Sequence, residues 1–129
     1  MHLGACCFTE MKHGKTKVIG QKIRHFAEVT STNDIAKELA TSGEEEGTVV
    51  LAETQTHGKG RIGRRWLSPK GGIWFSVILR PNISAKDSYQ LTFMTAVAVA
   101  KAIRKMFNVN TEIKWPNDVL VNERKVCGI

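Results

Sequence analysis

The sequence predicts a layered α/β domain, α+β in arrangement, with a mixed β-sheet packed against helices. Three observations predict it. Apolar, β-branched runs at residues 48–53 and 72–80 read as buried strands. Segments with helical periodicity at 31–43 and 87–106 read as helices. The two kinds are mixed along a chain of 129 residues, a length that fits one domain rather than two.

Residues 1–16 show no period and read as a loose extension, with the domain proper over 17–129. From Lys22 to Val29, Ile23, His25, Ala27 and Val29 alternate with Lys22, Arg24, Phe26 and Glu28, a strand pattern. The run STNDIAKELATSG follows. Ser31 or Thr32 can cap a helix, Asp34 falls in its first turn, and Gly43 can close it. Ile35, Ala36, Leu39 and Ala40 share one face. After the polar turn GEEEG, TVVLAE at 48–53 is a strand. Residues 54–72 then hold five glycines, a proline and many cations, and read as a long loop of the kind that carries function. GIWFSVILR is a second strong strand, ended by Pro81. The helix over 87–106 is apolar nearly all round in its middle, which predicts burial between layers, and Lys101, Arg104 and Lys105 load its last turns. TEIKW, DVLV and KVCGI are three short strands. The last two are joined across Asn122-Glu123 as a hairpin.

Composition excludes several classes. With 42% hydrophobic and 24% charged residues the chain is neither disordered nor collagen-like. It has no apolar run of about 18 residues that would span a membrane, and its first residues lack a secretory signal. Three cysteines, Cys6, Cys7 and Cys127, are not a disulfide framework, which points to the reducing cytoplasm. No metal-ligand spacing occurs among the cysteines and histidines, so no metal site is expected of the protein itself. The net charge of +7 is local: residues 54–86 hold seven cations and no acid, and the rest of the chain is neutral. An anionic partner is implied.

Gly58-Lys59-Gly60-Arg61-Ile62-Gly63 lies at the centre of that basic stretch. Its glycines let backbone N–H groups approach an anion, and its cations suit phosphate or carboxylate. It is not a Walker A loop. It matches G-x-G-x-x-G, yet the next element is a strand and no acid appears until Asp87, so it is not a dinucleotide turn. Glycine with arginine also fits an RNA-binding segment.

Three further segments narrow the reading: Ser31-Thr32-Asn33, Gln55, and Lys114-Trp115-Pro116-Asn117-Asp118 followed by Lys125. With GKGRIGRRW and the SPKGG at 68–72, their order and spacing resemble the catalytic domain of biotin–protein ligases, from about Lys17 to Ile129. The resemblance implies a class II synthetase-like, biotin–lipoate ligase-like fold. It also implies an ATP-dependent ligase that makes biotinyl-5'-AMP and transfers biotin to a lysine of a biotin carboxyl carrier protein. Biotin, ATP and Mg2+ are the implied ligands.

The resemblance also assigns residues. Ser31, Thr32 and Asn33 contact biotin, and Gln55 belongs to the biotin pocket. Gly58, Lys59, Gly60, Arg61 and Arg64 lie in the loop that folds over biotin and the adenylate phosphate. Lys59 stands where the family usually has arginine, which keeps the charge and loses the fork. Lys125 approaches the biotin carboxylate and the α-phosphate, and Asp118 orients or deprotonates the incoming amine. Lys125, Arg61 and Asp118 are thus the candidate catalytic residues.

Two alternatives stand beside this reading. One is a nucleic-acid-binding module using the 54–86 stretch; the other is a lipoate–protein ligase of the same fold, against which GKGRIGRRW and KWPND argue. Some relatives carry an N-terminal helix-turn-helix, and residues 1–21 are too short for one, so DNA binding is not expected of this chain. A homodimer is compatible with the resemblance, and no membrane association is expected. Ile129 falls within an apolar strand pattern, so the sequence reads as the N-terminal portion of a catalytic domain truncated at its C-terminus, with activity of the short chain an open expectation.

Overall fold

The computed structural model describes residues 9–11 and 16–129. Most of the segment expected as a loose extension, with Cys6, Cys7, His2 and His13, lies outside the described residues. Thr9–Met11 within it forms strand β1. The chain folds as two compact units, Met1–Arg80 and Pro81–Ile129.

In the first unit, β1 is followed by β2 (Ile23–Val29), helix α1 (Thr32–Thr41), β3 (Val49–Lys59), β4 (Arg65–Ser68) and β5 (Trp74–Val77). They form one mixed sheet. β2 and β3 run parallel, β1 pairs antiparallel with β2, and β4 and β5 pair antiparallel with β3. The parallel pair is the one bridged by a helix, as parallel connection requires. Ala36, Val50 and Ile78 form the buried core, with Phe26, Ile35, Leu39 and Ala40 packed against it. The predicted apolar face of α1 is therefore the face that covers the sheet. In β2 the burial does not alternate as expected: Ile23 to Phe26 are all half-buried, Ala27 and Glu28 are both exposed, and Phe26, expected on the face of Lys22 and Glu28, is the side chain that packs on this core. It is paired in register with Ala52.

Ser31 caps α1 with extended backbone, and Gly43 closes it at φ +88°. Glu44 follows and accepts from Lys22 Nζ at 2.6 Å and Arg24 Nη2 at 2.7 Å. These two cations, the Lys22 hydrogen bond first, hold its carboxyl down to about 2 against desolvation. The pair ties the end of α1 to the start of β2.

The stretch 54–72 departs from the expected long loop. β3 continues to Lys59, and β4 returns beside it with Gly58 opposite Trp66 and Lys59 opposite Arg65. Gly58 suggested a loop, but its role is close approach: a Cβ there would meet Trp66 O at 2.5 Å and Ser68 Oγ at 2.7 Å. The glycine-rich motif is thus the tip of a β-hairpin. The tip itself is a short 3-10 turn, Arg61–Gly63, with Ile62 at φ 57° and Gly63 at φ +69°.

The second unit holds α2 (Tyr89–Phe107) and an antiparallel sheet of β6 (Glu112–Lys114), β7 (Asp118–Val121) and β8 (Arg124–Gly128). Asn122 and Glu123 both take positive φ, 49° and 61°, as the predicted two-residue hairpin demands. α2 departs from the expected burial on all sides. Ala96 and Ala100 are buried, whereas Met94 is 67% exposed. α2 packs against β6 and β7, and Thr111 Oγ1 donates to Ala100 O at 3.2 Å. Asn108 ends α2 in the left-handed region, and Arg104 donates to Thr111 O at 3.0 Å. Among the described residues no helix is long and apolar enough to cross a membrane.

Candidate functional site

The start of α1 and the middle of β3 are joined by side chains that the sequence had singled out separately. Ser31 is fully buried, and its Oγ accepts from Asn33 N at 3.3 Å. Gln55 Oε1 accepts from Thr32 N at 2.8 Å and from Thr32 Oγ1 at 3.1 Å. The other end of the same amide donates to Ser68 Oγ at 2.8 Å. Ser76 Oγ lies 2.9 Å from Thr32 Oγ1 and 2.7 Å from Asn33 Oδ1. One neutral network thus spans the first turn of α1 and strands β3, β4 and β5. It orients the Gln55 amide beside the N-terminal end of a ten-residue helix.

Gly58 packs onto this network, since a Cβ there would come within 3.0 Å of Gln55 Nε2. Immediately beyond it the hairpin turns cationic. Lys59 Nζ lies 2.6 Å from Asp34 Oδ1. Gly60 N donates to Arg64 O at 2.7 Å and closes the tip, and Arg64 N donates to Arg61 O at 3.2 Å. Lys59, Arg61 and Arg64 are all exposed. Ser31, Thr32, Asn33, Gln55, Gly58 and Lys59 are therefore brought together by direct contact. Gly60, Arg61 and Arg64 form the tip of the same hairpin.

The predicted residues Asp118 and Lys125 belong to the second unit. Lys125 Nζ lies 2.8 Å from Asp118 Oδ1. The register shifts between Val119 and Leu120, which places Lys125 opposite Leu120 and Cys127 opposite Val119. Burial pushes the Cys127 thiol up; Lys125 draws it back and the Asp118 carboxylate adds to the rise. Asn117 holds the same turn by donating to Ile129 O at 3.2 Å. Trp115, read as a packing residue or a pocket wall, is 76% exposed and stacks at a tilt on Phe93.

Three residues of the network escaped the sequence reading of the site. Ser68 sits in the SPKGG run but carries no signal of its own. Ser76 was detectable as the lone hydroxyl in the apolar run IWFSVIL. Asp34 reads as a first-turn acid and is also the partner of Lys59.

The basic stretch is largely engaged within the molecule. Lys59 and Lys70 face Asp34 and Glu53, while Arg65 and Arg80 donate to backbone carbonyls. That use of charge argues for local anchoring over a continuous nucleic-acid track.

A mixed sheet, a capped helix with a neutral polar network, and a cationic glycine hairpin thus stand together in the first unit. The chain belongs to the biotin/lipoate A/B protein ligase family, whose model matches residues 25–129. It is 45% identical to the bifunctional ligase/repressor BirA of Bacillus subtilis over 123 residues, 94% of this chain and 38% of that protein. Among solved structures it is similar to the biotin protein ligase of Aquifex aeolicus in complex with biotin and ATP. That match has a TM-score of 0.72 and 36% identity, and covers 82% of this chain and 44% of that one. The biotin protein ligase of Leishmania major with biotinyl-5-AMP matches with a TM-score of 0.67 and 29% identity, over 80% of this chain and 48% of that one. The chain therefore spans less than half the length of each of these relatives.

Proposed function

We propose that this chain carries the biotin-activating site of a biotin–protein ligase. Biotin and ATP would give biotinyl-5'-AMP and pyrophosphate, and the biotinyl group would pass to a lysine of a biotin carboxyl carrier protein. The observation that carries the reading is the bonded set Thr32–Gln55–Ser68 directly beneath the glycine hairpin. Its support is that relatives of the same fold are solved with biotin, ATP or biotinyl-5-AMP.

The chemistry follows from the residues. The network formed by Ser31, Thr32, Asn33 and Gln55 is neutral and hydrogen-bonding, suited to a neutral polar head of the ligand. The first step brings a carboxylate to the α-phosphorus of ATP, so two anions must meet while charge builds on the phosphoryl oxygens. Lys59, Arg61 and Arg64 stabilise that charge. Closing the hairpin over the mixed anhydride keeps water from it. Within the second unit Asp118 holds the Lys125 ammonium at 2.8 Å, so any part Asp118 takes runs first through that lysine. In the second step the carrier lysine attacks the carbonyl carbon of the anhydride, AMP leaves, and the amine loses a proton.

Magnesium would enter with ATP. Among the described residues no group of three or more His, Cys, Asp or Glu is placed to hold a metal, so no step is assigned to it. The cysteine usage supports a reducing cytoplasm.

The test is mass-spectrometric detection of biotinyl-5'-AMP after incubation with biotin and MgATP. Product that requires both substrates, and falls at least about tenfold in Gln55→Ala, is expected. Faster adenylation of lipoate than of biotin would move the reading to a lipoate ligase. Absence of any adenylate, with no biotin binding, would overturn it.

A further inference from the structure

We infer that Asp34 is a positioning residue for Lys59: its carboxylate holds the glycine hairpin to the first turn of α1 and competes with a ligand carboxylate for the same ammonium. The ligand half of this inference rests on the proposed ligase function; the structural half does not.

Asp34 and Lys59 are 25 residues apart in sequence, yet Lys59 Nζ lies 2.6 Å from Asp34 Oδ1. Asp34 is in the first turn of α1, where the helix end favours a negative charge. Lys59 is the last residue of β3, paired with Arg65, and the next residue closes the tip through Gly60 N to Arg64 O. A hold on Lys59 is therefore a hold on the tip. Arg61, Arg64 and Arg65 crowd the same hairpin, and Asp34 offsets part of their mutual repulsion.

The pair is open to exchange. The Lys59 side chain is 53% exposed and that of Asp34 is 33% exposed, so an incoming anion can reach the ammonium. A lysine is a compact point charge, unlike the two-armed guanidinium, and cannot present a planar fork to two carboxylates at once. An arriving carboxylate must displace Asp34 or share a half-neutralised charge, and Asp34 itself repels it. Asp34 thus lowers affinity for the anionic ligand while keeping the empty hairpin seated.

Two measurements on Asp34→Asn test this. The first is limited trypsin digestion, which reads cleavage after Arg61 and Arg64 with no ligand present. An exposed pair predicts cleavage about two- to fivefold faster than wild type. Asp34→Glu is expected to restore the wild-type rate, and Asp34→Asn is expected to add nothing in a Lys59→Gln background. Unchanged cleavage in a variant with wild-type circular dichroism would overturn the hold. The second is calorimetric titration with biotin and with biotin methyl ester, which lacks the free carboxylate. The affinity ratio of biotin to ester is expected to rise about two- to fivefold in Asp34→Asn. An equal change for both ligands, or a loss confined to biotin, would overturn the competition. A wild-type chain that binds neither ligand would refute the ligase reading, and the digestion still decides the hold.

Discussion

Ser31, Thr32 and Ser68 are at most 5% exposed, carry no charge, and are bonded to neighbours through hydroxyl and amide groups. A few residues along the same hairpin, Lys59, Arg61 and Arg64 are cationic and exposed, with Ile62 at the tip 90% exposed. The floor and the tip therefore fail in different ways. A buried hydrogen bond that loses its partner leaves a desolvated group that water cannot repair. An exposed cation that is removed costs little stability, because solvent and salt already screen it. Under the proposed function, recognition of a neutral ligand head would belong to the first region, and stabilisation of charge formed during reaction to the second.

The largest effect is expected where both regions meet. Gly58→Ala forces a Cβ to within 2.5 Å of Trp66 O and 2.7 Å of Ser68 Oγ. A loss of about 3 kcal/mol in urea unfolding is expected, with biotin binding abolished. A variant of wild-type stability would remove the argument for close strand approach. Gln55→Ala comes next. It strips the acceptor from Thr32 N and the donor to Ser68 Oγ, so about 2 kcal/mol of stability should be lost along with biotin affinity. Calorimetry and thermal melts together check this, and a loss of affinity without destabilisation would make Gln55 a ligand contact only.

Glu44 sharpens the contrast because it is a charge handled as the floor handles polarity. Its carboxyl is held at about 2 from an ordinary 4.5, first by the Lys22 hydrogen bond. A depressed carboxylate contributes stability that is present above its unfolded value and lost as pH falls from about 4.5 toward 2. Glu44→Gln should cost on the order of 1.5 kcal/mol at pH 7, and flatten the acid limb of stability against pH. An unchanged acid limb would mean that Glu44 does not anchor β2 to α1. The smallest expected effect on folding is that of Arg61→Ala. Its melting temperature should stay within about 1 °C of wild type, while adenylate formation falls about tenfold or more. A matched fall in stability would place Arg61 in the scaffold.

Much of this was legible in the sequence, and the reasons differ by region. Helix α1 was readable because Ser31, Gly43 and the Ile35/Ala36/Leu39/Ala40 face agree. The turn at Asn122-Glu123 was readable because two short apolar runs left only Asn122, Glu123 and Arg124 between them. The hairpin was not, because Gly58 and Gly60 look like loop residues when only composition is seen; the backbone of β4 that crowds Gly58 is a tertiary fact. The exposed side of α2 was misjudged for a related reason. An apolar helix reports what it is able to bury, and only Ala96 and Ala100 are buried in it. At the site, Ser31, Thr32, Asn33, Gln55, Gly58 and Lys59 prove to be neighbours in the first unit, whereas Asp118 and Lys125 pair with each other in the second. Ser76 left one signal, a lone hydroxyl in an apolar run, while its pairing and the Asp34 contact leave no spacing in the chain.

The central claim is that a neutral floor and a cationic tip together form a biotin site. Isothermal titration with biotin, comparing wild type, Gln55→Ala and Arg61→Ala, tests it most directly. Saturable binding near one site per chain is expected, lost in Gln55→Ala and retained in weakened, more salt-independent form in Arg61→Ala. Binding equally insensitive to both substitutions, or no saturable heat from a folded wild-type chain, would contradict it.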